Sequence, residues 1–461
     1  MLERFRMVPL GAAVGEADRR VAVALVFTLS VLLLLFGSGA IDGFDGQAMY
    51  LTTESLVRAG DLSISAPFGD AGLGGSYSRY GPALSVLGIV PFLLAMPLAD
   101  WVGVPQVLER AAVASLMPII CACLVAALYM LARRLGGGAR SSLLVACGAL
   151  FGTFLLPYSH DFFSEPLTAL GLTLALERAL ARRPGQAGLA LGLAIVARPQ
   201  AAVMIPFLLL VGGGGGRAVI RAFAAPAASI AGLALYNLFR FGDPLDTGYR
   251  VGFTTPLSEG LWGLTLSPAK SVFIFAPVAL LLGPALWQLR RSGSGATLFL
   301  TANLMTTLLI AATWTAWEGG WAWGPRLLLP GLVPAIAALA PWMGHASWRR
   351  GAVVAVLIAG FVVSLPTVFV PTRAQQLDGN NFAPEIVRQA ELIRPTVSKS
   401  IRSLGGVGPL ERRKVVPLWH ILVGRRIGDT TLLATIPVSG LLIVAFVLGL
   451  RATRQRLAGL P

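Results

Sequence analysis

Long apolar runs dominate the chain and are separated by short polar segments rich in arginine. A run of about 20 apolar residues is long enough, as an α-helix, to cross the hydrocarbon core of a bilayer. The pattern predicts about ten full crossings, at 21–40, 110–133, 141–157, 160–181, 218–237, 270–289, 296–314, 326–344, 351–370 and 431–450. We therefore expect an all-α, polytopic transmembrane helical protein.

Two further apolar stretches do not fit a simple crossing. Residues 83–103 contain two prolines, and residues 187–212 are divided by Arg198 and Pro199. Each half of the second stretch has about a dozen residues, too few to cross at 1.5 Å per residue, and proline at the break acts as a hinge. We predict a V-shaped hairpin over 187–212 with Arg198 near its outer tip, and a re-entrant or juxtamembrane segment over 83–103. A true span for either stretch is the alternative.

Basic residues set the expected orientation, because short cytoplasmic loops of membrane proteins are enriched in arginine and lysine. Placing the arginine-rich short loops inside puts the N and C termini in the cytoplasm. This arrangement leaves only four of the 22 acidic residues on the inner side, namely Glu3, Glu16, Asp18 and Glu177. Arginine far outnumbers lysine, as in proteins of GC-rich bacteria, so we expect a bacterial plasma membrane.

Three outer segments, 41–82, 238–269 and 371–430, carry most of the chain outside the bilayer. We expect residues 1–370 to form one transmembrane module whose first outer loop is 41–82. Residues 371–430 are rich in basic side chains and are expected to form an outer loop or a small cap facing anionic headgroups or an acceptor phosphate. Residues 431–461 are then the last transmembrane helix and a cytoplasmic tail.

The composition narrows the class of protein further. Of 461 residues, 55% are hydrophobic and only 13% are charged, about half the charged share of ordinary globular domains. A soluble enzyme, a disordered chain and a secreted disulfide scaffold are therefore excluded. The net charge of +15 is explained by basic cytoplasmic loops, so no nucleic-acid partner is expected. Cysteines inside apolar runs and widely spaced histidines argue against a metal site built from Cys and His. No cofactor is predicted, and metal dependence stays open, with a divalent cation as an alternative that lacks support.

The first outer loop carries the clearest chemistry. It opens with Asp42 and Asp45, close to the end of a membrane helix, and closes with a Tyr-Ser-Arg-Tyr-Gly-Pro turn at 77–82. A carboxylate held at the membrane surface serves as a general base if it reaches the proton of a hydroxyl group. Asp45 and Asp42 are the candidate catalytic residues. The alternative is a solvated loop whose polar residues cap helix ends.

The order of these features resembles the GT-C superfamily of membrane glycosyltransferases, which includes the protein O-mannosyltransferases and the aminoarabinose transferase of lipid A. The likeness covers residues 40–340 and includes the acidic loop, a juxtamembrane helix and the arginine hairpin. The first-loop motif of that family is typically Asp-Glu followed by a tyrosine. Here Asp45-Gly46 stands in that place and Tyr50 comes one residue later, so the glutamate is missing.

The resemblance implies an inverting glycosyltransferase, hexosyl or pentosyl, that uses a polyprenyl-phosphate-linked sugar on the outer face. The acceptor is a hydroxyl group of a glycolipid, a wall polysaccharide or a protein. The leaving phosphate needs fixed cations in a partly dry site. The donor phosphate-binding candidates are Arg198, Arg79, Arg326 and Lys270. The candidates for binding the sugar or the acceptor are Tyr50, Tyr80, His160, Asp161, Glu165, Tyr249, Trp317 and Glu318.

Simpler explanations exist for several of these residues. Arg79 and Lys270 suit an interfacial position in which the charged group reaches the lipid headgroups. Trp317 belongs to a cluster of tryptophans that suits an aromatic belt. Arg198 is harder to explain in this way, because an arginine within an apolar hairpin is costly unless it has a partner.

Two other function classes fit part of the pattern. A transporter or flippase for lipids or lipid-linked sugars would use a broken helix like that at 187–212, although the predicted spans contain almost no ionisable residues. An inactive GT-C-like scaffold is compatible with the missing glutamate. The enzyme hypothesis requires that the first outer loop and the arginine hairpin meet at one place.

Overall fold

The computed structural model describes residues 14–37, 39–41, 43–103, 105–212, 215–292, 294–320, 322–365 and 367, together with 446–451, 453 and 455. Three sequence predictions fall outside this part of the chain. They concern Asp42, the segment 371–430 and most of 431–461.

The described chain is mainly helical, as the apolar pattern predicts. Its α-helices are α1 (Glu16–Phe36), α2 (Phe44–Arg58), α3 (Ala83–Val102), α4 (Pro105–Ala114), α5 (Leu116–Arg134), α6 (Ala139–Phe151), α7 (Ser164–Leu180), α8 (Pro184–Ala197), α9 (Ile205–Gly212), α10 (Gly216–Phe241), α11 (Leu257–Thr265), α12 (Val272–Phe275), α13 (Leu282–Leu289), α14 (Ser294–Thr313), α15 (Leu329–Ile336), α16 (Leu339–Met343) and α17 (Ser347–Ser364). Short 3₁₀ turns occur at Ala66–Phe68, Pro157–Ser159, Pro199–Met204, Pro277–Leu281 and Arg326–Leu328. The first outer loop also contains a small antiparallel pair, β1 (Asp70–Ala71) and β2 (Ser76–Tyr77).

Five helical stretches of the described residues are long and apolar enough to cross a membrane, at Ala83–Trp101, Pro105–Arg134, Gly216–Phe241, Gly295–Thr313 and Ser347–Ser364. Several other predicted spans are shorter apolar helices. The run 270–289, for example, is interrupted by a 3₁₀ turn that starts at Pro277. Proline cannot donate the backbone hydrogen bond that a continuous helix needs. The number of about ten full crossings is therefore not confirmed.

The two exceptional apolar stretches behave differently from each other. Helix α3 is continuous through Pro91 and Pro97 and is long and apolar enough to cross a membrane, which favours the alternative of a true span for this stretch. The stretch 187–212 breaks where the sequence predicts. Helix α8 ends before Arg198, which has an extended backbone with φ −147° and ψ 111°, and a 3₁₀ turn follows. A residue before proline favours this conformation.

Close helix packing surrounds α7, which contacts α5, α8 and α15. A Cβ at Gly171 of α7 would lie 2.7 Å from the Ala190 carbonyl oxygen of α8. A Cβ at Gly188 of α8 would lie 2.4 Å from the Ala222 carbonyl oxygen of α10. Glycine lets the backbones of membrane helices approach this closely. The packing fixes α7 and α8 relative to each other, and each ends at the site described below.

Helix α7 has a buried glutamate near each end. Glu177, near the C-terminal end, is fully buried and pairs with Arg134 and Arg178. The neighbour of Arg134 on α5, Arg133, forms a separate ion pair with Asp18 of α1, at 2.8 Å. Glu165 lies in the first turn, about 18 Å away along the helix at 1.5 Å per residue. The ionic contacts of α7 therefore lie at opposite ends of the helix.

Candidate functional site

Asp45 lies in the first turn of α2, near the start of the segment 41–82 that the sequence predicts to be the first outer loop. The loop packs tightly here, because a Cβ at Gly46 would lie 3.0 Å from the carbonyl oxygen of Phe162. The backbone N–H groups at a helix N-terminus favour a carboxylate at this position. About one fifth of the Asp45 side chain is exposed. It is therefore held in a defined place and still reaches solvent.

Three charged side chains from separate parts of the chain meet beside Asp45. Arg326 Nη1 lies 2.8 Å from Asp45 Oδ2 and 3.4 Å from Glu165 Oε1. Arg198 Nη1 forms an ion pair with the same oxygen of Glu165. Glu165 is 1% exposed, so the cluster reaches into the protein from the Asp45 side. We call Asp45, Glu165, Arg198 and Arg326 the four-residue cluster.

Backbone and ring contacts fix Arg326. Its Nε donates to the Gly319 carbonyl oxygen at 2.7 Å, and its guanidinium lies 4.4 Å from the centre of the Phe163 ring. Gly319 has a φ of +74°, a conformation that glycine adopts without strain. The turn before Arg326 therefore shapes the cluster through its backbone.

Two tyrosines border the cluster. The Tyr80 hydroxyl hydrogen-bonds to Asp45, and the Tyr80 ring packs edge-on against Tyr249 with centroids 6.1 Å apart. Tyr249 packs in the same way against Trp314, at 5.3 Å. Such edge-to-face pairs stabilise the arrangement of the rings. The rings form an aromatic row that starts at the carboxylate of Asp45.

The ionisation of Asp45 reflects opposing influences. Burial raises the pKa of its carboxyl group, but the Arg326 guanidinium and the Tyr80 hydrogen bond outweigh burial and hold the pKa below its usual value. Asp45 is therefore ionised at neutral pH. Burial, with the nearby Asp45 carboxylate, raises the pKa of Tyr80, and burial raises that of Tyr249 to about 12. Both tyrosines keep their protons, and Tyr80 is the donor in its bond to Asp45.

Arg79 lies next to this row. It makes a two-pronged ion pair with Asp70, at 2.6 and 2.8 Å, and its guanidinium is 5.5 Å from the centre of the Tyr249 ring. Lys270 is buried and donates to the Ala322 carbonyl oxygen. Among the described residues, Arg79 pairs with Asp70 rather than with Asp45 or Glu165.

Several predicted residues lie elsewhere. Tyr50 packs under the Arg110 guanidinium, 4.7 Å from its ring centre, and against Phe92 rather than beside Asp45. His160 contacts the Leu33 carbonyl oxygen at 3.1 Å, and burial lowers its pKa. A neutral histidine that contacts the end of α1 fits a structural role.

The remaining sugar or acceptor candidates lie in other turns. The backbone carbonyl of Asp161 accepts a hydrogen bond from the Phe163 N–H at 2.9 Å. Trp317 packs on α11, because a Cβ at Gly263 would lie 2.2 Å from its ring. Its neighbour Glu318 is exposed. The described residues contain no group of three or more His, Cys, Asp and Glu side chains that could hold a metal ion.

One residue of this region, Arg240, is missing from the sequence predictions. Arg240 is 2% exposed, donates to the Ser78 carbonyl oxygen and stacks 3.6 Å from the Tyr236 ring centre. It thereby attaches the turn that holds Arg79 to the end of α10. Trp314 extends the aromatic row. The position of Arg240 near the end of a predicted helix was the feature in the sequence that pointed to it. A charged residue at such a position usually faces solvent, so this feature does not predict a buried arginine.

Comparisons with known proteins agree with this architecture. No protein-family model and no curated sequence matches the chain. The apo crystal structure of ArnT from Cupriavidus metallidurans is similar over 97% of this chain and 77% of that chain, with 14% identity and a TM-score of 0.52.

Two further solved structures align less well. ArnT bound to undecaprenyl phosphate has 16% identity and a TM-score of 0.49, covering 97% of this chain and 78% of that one. Archaeal oligosaccharyltransferase AglB from Archaeoglobus fulgidus, in complex with an inhibitory peptide and a dolichol-phosphate, has 13% identity and a TM-score of 0.48, covering 79% and 56%. The fold assignment rests on apo ArnT. The chain has a GT-C-type fold, as the order of motifs predicted.

Proposed function

We propose that this protein is an inverting glycosyltransferase that moves a sugar from a polyprenyl-phosphate donor to a hydroxyl group at the outer face of the plasma membrane. The observation that carries the proposal is the four-residue cluster, in which Asp45 and Glu165 meet Arg198 and Arg326. A carboxylate beside two arginines suits the transfer of a group from phosphate to a hydroxyl. ArnT, which shares the fold, has been solved with undecaprenyl phosphate bound.

The two arginines are the proposed binding groups for the donor phosphate. Each guanidinium offers a planar fork of N–H donors that matches phosphate oxygens. Both side chains are largely buried, with exposures of 16% for Arg198 and 11% for Arg326. Contacts to a developing negative charge are stronger in such a water-poor site than in bulk water. Arg79 and Lys270 are proposed as further cations at its border.

Asp45 is the proposed general base. The acceptor oxygen forms a bond to the anomeric carbon while the bond from that carbon to the phosphate oxygen breaks. The electron pair of the broken bond stays on the phosphate, and the proton of the hydroxyl group passes to Asp45. Attack opposite the leaving phosphate inverts the anomeric carbon. Tyr80 holds the carboxylate of Asp45 in place through its hydrogen bond.

The sugar and the acceptor are proposed to lie along the outer turns. Tyr80 and Tyr249 border Asp45, and aromatic rings offer apolar surfaces to the C–H groups of a sugar. Asp161, Trp317 and Glu318 lie on neighbouring turns as candidates for acceptor contacts. A glycolipid, a cell-wall polysaccharide and a protein hydroxyl group all remain compatible acceptors.

Transfer from radiolabelled polyprenyl-phosphate sugars to membrane acceptors tests the proposal. The purified wild type is expected to transfer sugar, and Asp45→Asn is expected to lose about a hundredfold or more of the rate, since a general base contributes about 10²–10⁴-fold. Asp246→Asn, which removes an exposed ion pair with Arg250, is the matched control and should keep full activity.

Two results would contradict the proposal. Absence of transfer by the wild type with every sugar tried would favour a transporter or an inactive scaffold. Full activity of Asp45→Asn would remove Asp45 from the mechanism, and Asp42→Asn would then test the other acidic residue of the loop.

A further inference from the structure

Glu165 is the innermost member of the four-residue cluster. Its side chain is 1% exposed, and one of its oxygens faces both Arg198 Nη1 and Arg326 Nη1. A carboxylate at this depth is stable only when cations compensate for the lost hydration. Its exposure leaves little room for direct contact with a sugar.

The two arginines depend on Glu165 to different degrees. Arg326 has other contacts, to Asp45 at 2.8 Å and to the Gly319 carbonyl oxygen at 2.7 Å. Arg198 lies at the extended break between α8 and the following 3₁₀ turn, and it pairs with Glu165. Within the described chain, Glu165 is the group that brings Arg198 next to Arg326.

The charges of the cluster balance in the absence of a substrate. Arg198 and Arg326 supply two positive charges, and Asp45 and Glu165 supply two negative ones. Glu165 is buried between the two arginines, so an arriving phosphate group does not displace it. Arg198, Arg326 and Glu165 together carry one net positive charge, which Asp45 balances as long as it is ionised.

We propose that Glu165 is a positioning residue, a fixed counter-charge that holds Arg198 beside Arg326 and limits how tightly the pair retains a polyprenyl phosphate. This inference rests on the proposed function, because it takes the two arginines as the phosphate-binding groups. A donor phosphodiester carries about one negative charge, and the released monoester carries nearly two at neutral pH. Without the negative charge of Glu165, the site would bind the released phosphate more tightly. Without its ion pair, Arg198 would be positioned less accurately beside Arg326.

Binding of undecaprenyl phosphate to the full-length protein in nanodiscs of neutral lipid measures this effect without any sugar. Glu165→Gln is expected to bind this phosphate at least about threefold more tightly, the factor for one charge removed at about 6 Å even with water-like screening. Turnover is expected to fall by about ten- to a hundredfold, because misplacing a binding group by about 1 Å costs up to that much. The opposite signs of the two changes are the signature of a positioning counter-charge.

Glu177→Gln is the matched control. Glu177 lies on the same helix, is buried and also pairs with two arginines, but at the other end. Its replacement is expected to lower stability and leave the affinity for undecaprenyl phosphate unchanged. If Glu165→Gln does not fold, Glu165→Asp keeps the charge on a shorter side chain. We then expect wild-type affinity with reduced turnover.

Unchanged or weaker binding by Glu165→Gln would overturn the inference, as would wild-type turnover of Glu165→Asp. The proposed function fails in a different way. In that case undecaprenyl phosphate would bind wild type and an Arg198→Gln, Arg326→Gln double variant equally well, whatever the behaviour of Glu165.

Discussion

Replacing Arg326 by glutamine tests the electrostatics of the site most directly. Arg326 Nη1 faces Asp45 at 2.8 Å and Glu165 at 3.4 Å. After Arg326→Gln, both carboxylates share Arg198 as their nearby cation. Removing one partner of a buried ion pair costs about 3–5 kcal/mol, because the remaining charge is left uncompensated. Because one fifth of the Asp45 side chain is exposed to solvent, we expect the lower end of this range, a decrease of about 3 kcal/mol in the free energy of unfolding at pH 7.5.

The loss should depend on pH in a defined direction. Arg326 keeps the pKa of Asp45 below its usual value, so this ion pair stabilises the wild type above a pH of about 4. The stabilisation is lost as the pH falls through the folded-state pKa. In Arg326→Gln, burial acts without that cation and raises the pKa of Asp45. Protonation of Asp45 then removes its uncompensated charge in the variant. The difference in free energy of unfolding between wild type and variant should shrink to about 1 kcal/mol near pH 4.5.

Equilibrium unfolding in mixed micelles, at several pH values, measures both quantities. Arg79→Gln is the matched control, because it also removes a two-pronged arginine pair, with Asp70. Arg79 is more exposed than Arg326 and pairs with one carboxylate instead of two, so we expect its replacement to lower the free energy of unfolding by about 1 kcal/mol. Equal losses for the two variants, or a loss from Arg326→Gln that is the same at both pH values, would refute the reasoning.

Two further variants test the neighbourhood of Asp45. Tyr80→Phe removes the hydrogen bond that lowers the pKa of Asp45, so the acidic limb of the rate–pH profile should move to higher pH, and a profile that stays in place would contradict the role of Tyr80. Gly81→Ala places a Cβ within 2.7 Å of the Ala197 carbonyl oxygen, next to the break in α8, and should destabilise the protein by about 1–3 kcal/mol in the same unfolding assay. Gly185→Ala, which has open space around its Cβ position, should change stability little.

Much of the fold and part of the site follow from the sequence. Apolar runs of membrane-spanning length require helices, because a backbone in lipid must satisfy its hydrogen bonds internally. Pro199 after Arg198 fixes the position of the break, and the acidic opening of the first outer loop marks Asp45 as a candidate base. These features are local, so they can be read along the chain.

Tertiary packing decided the rest. The sequence does not determine that Arg326 and Arg198 both approach Glu165, because Arg326 lies more than a hundred residues from the other two and the distances depend on how helices pack. It also does not distinguish Tyr50, which packs beside Arg110, from Tyr80, which reaches Asp45. Both tyrosines lie in the same loop region, and only the three-dimensional path of the backbone sets which one faces the carboxylate. Composition and local propensity therefore determined the helices and their breaks, and long-range packing determined which charges meet.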